Sequence, residues 1–251
     1  MLYLVGVGLA PGDISLRGIE ICKRSKLFAE KYTSFISDSY LKEIERLSGK
    51  EAALLERSDL EEGARHIAEQ ASKEDIAILA GGDPLIATTH KILSIEAKRA
   101  GAKLEIVHSS SIFSVAIGES GLDFYKFGQI CTIPAWSEHY KPVSFYETIY
   151  KNMERGLHSL VLLDYSPQYG GSLSIAEAAS ELEAAERHYI KGLITDSTMI
   201  IVLHNIAQAG ESRILCTFKE LKSLPIGDGR SVILIPAKLS DIESEIIKSI
   251  Y

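Results

Sequence analysis

Short apolar runs closed by turn-forming residues alternate with amphipathic stretches through the first half of the chain. This alternation constrains the fold more than any other feature. Residues 2–7 are apolar and end at Gly8 and Pro11-Gly12-Asp13, so they read as a buried parallel strand. Residues 15–25 follow as a helix with Ser15 as its N-cap, then 27–32 as a strand and 40–47 as a helix. The pattern repeats with strands at 52–55, 76–80 and 103–107, and helices at 60–72, 88–100 and 111–120. Strands that alternate with helices in this way build βαβ units, hence an α/β fold with a parallel sheet covered on both faces.

The rhythm changes near residue 125. Residues 121–143 are rich in aromatics and turn formers and hold the only tryptophan, Trp136. Strands are expected at 160–163, 199–204, 213–218 and 232–235, with a helix at 175–190. The short turn between 199–204 and 213–218 suits an antiparallel hairpin, so the second sheet should be mixed. With 251 residues and about 150 per domain, two domains are expected, 1–125 and 126–251.

Composition excludes several classes. Lys and Arg number 27 against 34 Asp and Glu, and a net charge of −7 argues against a broad nucleic-acid or anionic-membrane surface. Cys22, Cys131 and Cys216 are far apart and lack ligand spacing, so they read as buried small hydrophobes, with no metal site expected. The N-terminus has no basic region or cleavage site, and no apolar window approaches the ~18 residues of a membrane span. A cytoplasmic protein is expected.

In open α/β sheets ligands bind beyond the carboxyl ends of the strands. Three such ends carry unusual loops. Gly6, Gly8 and Gly12 form a GxGxxxG loop that fits either a tight turn or a close approach to a ligand. Asp83, between Gly81-Gly82 and Pro84, could accept hydrogen bonds from ligand hydroxyls or an amine, or cap the next helix. Ser109, Ser110 and Ser111 precede a helix and read as caps, with no GxSxG elbow to make one a nucleophile. The seven histidines show no metal-ligand spacing.

Taken together, these segments resemble a known family. Gly6-Val7-Gly8-Leu9, Asp13-Ile14-Ser15-Leu16-Arg17-Gly18 and Glu30-Lys31-Tyr32-Thr33-Ser34 resemble the GxGL, DITxxG and ExYTS segments of diphthine synthases. The stretch Gly82-Asp83-Pro84-Leu85-Ile86-Ala87-Thr88-Thr89-His90 is similar to their GDPxxATTH segment. The likeness spans essentially the whole chain and is looser between Pro167 and Arg230. GxG and GDP are shared with the wider tetrapyrrole-methylase-like group of S-adenosylmethionine-dependent methyltransferases, whereas ExYTS and GDPxxATTH are more specific.

The resemblance implies two α/β domains with S-adenosylmethionine in the cleft between them. It implies cofactor contacts at Leu9, Asp83, Ile86, Ser111 and Ile112 from the first domain, and at Leu163, His204 and Ser231 from the second. At the last two positions the family often has a small residue and then His, so the chain departs from the pattern there. The activity implied is successive methylation of the amino group on a modified histidine of translation elongation factor 2, leaving S-adenosylhomocysteine. A homodimer is implied too, with residues 124–143 as a candidate surface. The chain's end soon after Leu239 fits the archaeal, trimethylating type better than the ester-forming eukaryotic one. No general base is assigned; Tyr32, His90 and Tyr125 read as packing or substrate-shaping residues. A methyltransferase for tetrapyrrole precursors, a ribosomal-RNA methyltransferase (disfavoured by the charge) and a non-catalytic cofactor-binding adaptor are the alternatives.

Overall fold

The computed structural model describes residues 1–31, 36–166, 171–227 and 229–251. Tyr32, Thr33 and Ser34 of the ExYTS segment, and Pro167, therefore lie outside the described residues. The chain divides into two compact units, Met1–Ile112 and Phe113–Tyr251.

In the first unit the elements run β1 (Leu2–Gly6), α1 (Leu16–Arg24), β2 (Lys26–Glu30), α2 (Asp38–Ser48), β3 (Ala52–Leu55), α3 (Arg57–Glu61), α4 (Ala64–Ala71), β4 (Ile76–Ala80), α5 (Lys91–Arg99) and β5 (Leu104–Val107). All five strands are parallel, in the order β3-β2-β4-β1-β5. Alternate residues of a strand face opposite sides of its sheet, and β1 divides its burial accordingly. Tyr3 and Val5 pack with Ile21, Cys22, Tyr40 and Ile44 of α1 and α2. Leu2 and Leu4 pack with Leu60, Ala64, Ile67 and Leu93 of α3 to α5. Helices thus cover both faces, as the alternation predicts.

Two helices differ from expectation. The helix expected at 60–72 is two helices parted at Gly63, where a β-carbon would come 2.7 Å from the Asp59 carbonyl oxygen. The helix expected from Thr88 begins only at Lys91. The Thr88 hydroxyl and the His90 ring both bond the Pro84 carbonyl, and Ala87 takes a φ of 54°, so the chain coils around that oxygen first.

Helix α6 (Ile112–Glu119) and a 3-10 turn (Phe124–Lys126) lead into β6 (Cys131–Ile133), α7 (Ser144–Glu154), β7 (Ser159–Leu163), β8 (Tyr165–Ser166), β9 (Gly171–Ser172), α8 (Ile175–Tyr189), β10 (Met199–His204), β11 (Ser212–Thr217), α9 (Phe218–Leu221), β12 (Ser231–Ile235) and α10 (Asp241–Ile250). The five-stranded sheet has the order β11-β10-β12-β7-β6 and is mixed: β6 and β7 are parallel, the other pairs antiparallel. The β10–β11 hairpin forms as expected. Phe145, Tyr146 and Ile149 of α7 and Ala178, Leu182 and Ala185 of α8 cover one face, against Val161, Leu163, Val202, Ile233 and Ile235. Burial pushes the thiols of Cys22 and Cys131 up to about 12 and that of Cys216 to about 11. Among the described residues, no helix is long and apolar enough to cross a membrane.

Candidate functional site

The five first-unit candidates gather beyond the carboxyl ends of three neighbouring strands, β4, β1 and β5. The loops after β1 and β4 are joined by reciprocal backbone bonds: Gly8 N–H donates to the Gly82 carbonyl at 3.2 Å, and Gly82 N–H to the Gly8 carbonyl at 2.8 Å. This approach leaves no room for side chains. A β-carbon at Gly6 would lie 2.7 Å from the Gly82 oxygen, and one at Gly8, whose φ is +78°, 2.1 Å from the Asp13 β-carbon. The loop after β1 is thus a tight turn, and its Gly6 and Gly8 are crowded by protein atoms.

Two carboxylates fix these loops. Asp13 accepts the Leu9 and Ala10 amides at 2.9 and 3.1 Å and the Ser110 hydroxyl at 2.8 Å. It thereby ties the β1 loop to the loop after β5. Asp83, buried except for a small edge, accepts the Leu85 amide at 2.9 Å through Oδ1. Through Oδ2 it receives His108 Nδ1 at 2.7 Å and the Ser109 amide at 3.3 Å. Asp83 therefore bonds across to the β5 loop, and the following helix α5 starts well beyond it. Ile86 is exposed, Leu9 partly so, and Ser111 is buried directly before Ile112 opens α6. His90 is fully buried, its Nδ1 donating to the Pro84 carbonyl at 2.9 Å and its Nε2 3.6 Å from Glu30 Oε1. It packs the loop from beneath. Tyr125, in contrast, is 89% exposed and packs edge-on to Phe124.

The three second-unit candidates form one row. His204, the last residue of β10, pairs with Ser231, the first of β12. Val232 pairs with Leu162, so the next antiparallel position sets Ser231 opposite Leu163. All three side chains are buried, and His204 Nδ1 lies 2.9 Å from the Ser231 hydroxyl. Burial holds the His204 imidazole below its ordinary value, so it is neutral at neutral pH.

The residues that sequence reasoning missed are those that hold the loops. Asp13 and His108 are single polar residues after strands, and only their distances to Ser110 and Asp83 reveal the role. Arg230, beside Ser231, has its guanidinium 4.9 Å from the Tyr165 ring centre. Neither cluster pairs an activated nucleophile with a base. What they offer is backbone stripped of β-carbons, a buried carboxylate able to accept further hydrogen bonds, and an apolar rim. Groups of this kind at strand ends can meet the hydrogen-bond donors of a small molecule.

Two α/β units, one with a parallel sheet and one with a mixed sheet, define the class of fold. Residues 1–222 match the family of tetrapyrrole (corrin/porphyrin) methylases. The chain belongs to this family, and it is a methyltransferase of the diphthine synthase branch. It is 39% identical to the diphthine synthase of Methanothermobacter thermautotrophicus, over 100% of this chain and 95% of that protein. It is 33% identical to the diphthine methyl ester synthase of Saccharomyces cerevisiae, over 98% of this chain and 87% of that one. A crystal structure of diphthine synthase superposes with a TM-score of 0.88 at 30% identity, covering 99% of this chain and 95% of the other.

Proposed function

We propose that the chain is an S-adenosylmethionine-dependent N-methyltransferase that trimethylates the amino group of a modified histidine on translation elongation factor 2, producing diphthine for diphthamide biosynthesis. The observation that carries this reading is full-length identity to diphthine synthases, joined to the gathering of the implied contacts at neighbouring strand ends. The cofactor is held by Leu9, Asp83, Ile86, Ser111 and Ile112 of the first unit and by Leu163, His204 and Ser231 of the second. Asp83 suits hydroxyl or amine donors. His204 and Ser231 supply neutral polar contacts, matching a cofactor that carries its charge elsewhere.

When bound, S-adenosylmethionine supplies an electrophilic methyl group on a sulfonium. The protein's part is to orient the amine in line and exclude water, and this needs no protein nucleophile. The amine must lose a proton before each transfer, three in all, and no side chain of either cluster is assigned to take them. The partner is the elongation factor, not nucleic acid or membrane, and the enzyme works in the cytoplasm, as a homodimer. Exposed Phe124 and Tyr125 are a candidate dimer surface.

Incubation with elongation factor 2 bearing the aminocarboxypropyl histidine, followed by mass measurement of the modified peptide, tests the reading. Three added methyls support it. Four favour the ester-forming activity for which the yeast relative is named, and none removes it. In sedimentation, a single species of 27.5 kDa would exclude the dimer.

A further inference from the structure

The loop that follows β4 is wound around a single oxygen. The Pro84 carbonyl accepts the Thr88 hydroxyl at 3.0 Å and His90 Nδ1 at 2.9 Å, which fills both of its lone pairs. The Thr88 hydroxyl in turn accepts the His90 amide at 3.2 Å, and the Ile86 amide donates to the Asp83 carbonyl at 3.2 Å. Ala87 sits in this coil in a left-handed conformation, φ 54°, a strain that persists where surrounding contacts enforce it. His90 lies fully buried beneath the loop, whereas Ile86 and Ala87 are exposed. Packing alone does not account for a histidine there. Its Nε2 has no hydrogen-bond partner among the described residues and stands 3.6 Å from Glu30 Oε1. A buried polar atom left in that state is costly, and leucine would fill the space without the cost. What leucine cannot do is donate to the Pro84 carbonyl.

We propose that His90 is a positioning residue of the cofactor site, holding the loop from Asp83 to Thr88 in the wound form that presents Asp83 and Ile86 to the ligand. The inference rests on the proposed methyltransferase reading, which makes those two residues cofactor contacts. Pro84 prepares the bend, because its ring fixes its own φ and biases the residue before it toward extended backbone. The near side of the loop is then held by Asp83, whose Oδ1 accepts the Leu85 amide and whose Oδ2 receives His108. The far side is held by the two donors on the Pro84 oxygen. With the donor from beneath removed, the Thr88 hydroxyl alone opposes the strain at Ala87, and the loop spreads over other conformations. Binding must then reselect the wound form, so affinity falls in proportion to its population. His90 has no exposed surface and therefore acts through the loop, not on the reacting atoms.

Titration calorimetry with S-adenosylhomocysteine on the full chain, on H90N and on H90L tests this, with thermal denaturation of all three alongside. The asparagine amide can take the place of Nδ1 and keep the donor, but it leaves a void where the ring was; leucine keeps the bulk and loses the donor. Positioning predicts that H90L binds about tenfold more weakly than wild type, while H90N stays within about threefold despite the lower Tm that its void brings. A residue that only fills space predicts the reverse order. H90N weaker than H90L, or H90L within about threefold of wild type, therefore overturns the proposal. T88V and T88S ask the same of the second donor, and they carry the test if the His90 variants do not fold. T88V should weaken binding at least about threefold and T88S should restore it, and a smaller effect of T88V overturns the proposal. If wild type binds S-adenosylhomocysteine and the variants break these orders, the inference falls and the methyltransferase reading stands. A wild-type chain that does not bind it removes both.

Discussion

The imidazole Nδ1 of His204 and the hydroxyl of Ser231 meet at 2.9 Å across the β10–β12 ladder, and both are buried. These are the two positions at which the chain departs from the pattern it resembles, a small residue followed by His. The structure makes the two departures one event, because the residues are direct cross-strand partners.

H204S and S231H alone should each weaken S-adenosylhomocysteine binding, the first by opening a void and the second by crowding two rings together. The exchanged double variant H204S/S231H should return to within about threefold of wild type, a coupling of about 1 kcal/mol or more between neighbours. Calorimetry on the four proteins measures this. A double variant no better than the worse single one would show that the pair is not interchangeable.

Glycine has different work at Gly8 and Gly12, although both have positive φ, +78° and +93°. A β-carbon at Gly12 meets open space, whereas at Gly8 it strikes Asp13 and so displaces the carboxylate that holds Leu9 and Ala10. G12A should therefore cost only about 1 kcal/mol, the penalty for the left-handed backbone. G8A should cost about 3 kcal/mol or more and abolish cofactor-analogue binding. Urea midpoints and calorimetry on the two variants separate strain from clash.

Much of the fold is legible in the sequence, for definite physical reasons. The buried parallel strands β1 and β4 are unbroken apolar runs of five residues with glycine at their ends, too short for a buried helix and too uniform for a strand with one wet face. Asp83 stands out because an acid between Gly82 and Pro84 at a strand end is conspicuous. In contrast, α10 is absent from the sequence-based expectation, although Ser240 and Glu243 form a capping box that announces its start. Strand β6 is only three residues long and carries no periodicity to read. Asp13, His108 and Arg230 act through partners 97, 25 and 65 residues away (Ser110, Asp83 and Tyr165), and no local pattern encodes such pairings.

The buried Glu243 anchors the start of α10 to the turn at Phe124–Lys126. Its carboxylate accepts Lys126 Nζ at 2.5 Å, His158 Nε2 at 2.7 Å, and the amides of Ser240 and Asp123 at 2.7 and 3.0 Å. Burial alone would raise this carboxyl, but those donors outweigh it and hold it well below its ordinary 4.5. The sign follows: the group stabilises the fold above its unfolded value and loses that contribution as pH falls through the acid range below about 4.5. E243Q turns an acceptor into a donor that faces donors, and should destabilise by about 3–5 kcal/mol at pH 7. Its stability should also vary less with acidification than that of wild type, as thermal denaturation at a series of pH values would measure.

Glu181 behaves oppositely. It is 4% exposed on the inner side of α8, and its Oε2 has no hydrogen-bond partner among the described residues. Burial, aided by the charges of Glu177 and Asp164, raises it to about 7 against a hydrogen bond from the Trp136 amide. Between its unfolded value of 4.5 and about 7 the folded chain keeps a proton that the unfolded chain has released. Stability must therefore fall as pH rises through that window, by an amount on the order of 3 kcal/mol at 1.36 kcal/mol per unit. E181Q imitates the protonated acid at every pH. It should match wild type or lie slightly below it at pH 5, where Glu181 is mostly neutral, and exceed wild type at pH 8, where the buried carboxylate is charged. Guanidinium-induced unfolding at these two pH values reads the crossing directly. Parallel curves for the two proteins would mean that Glu181 ionises in the folded chain as freely as in water.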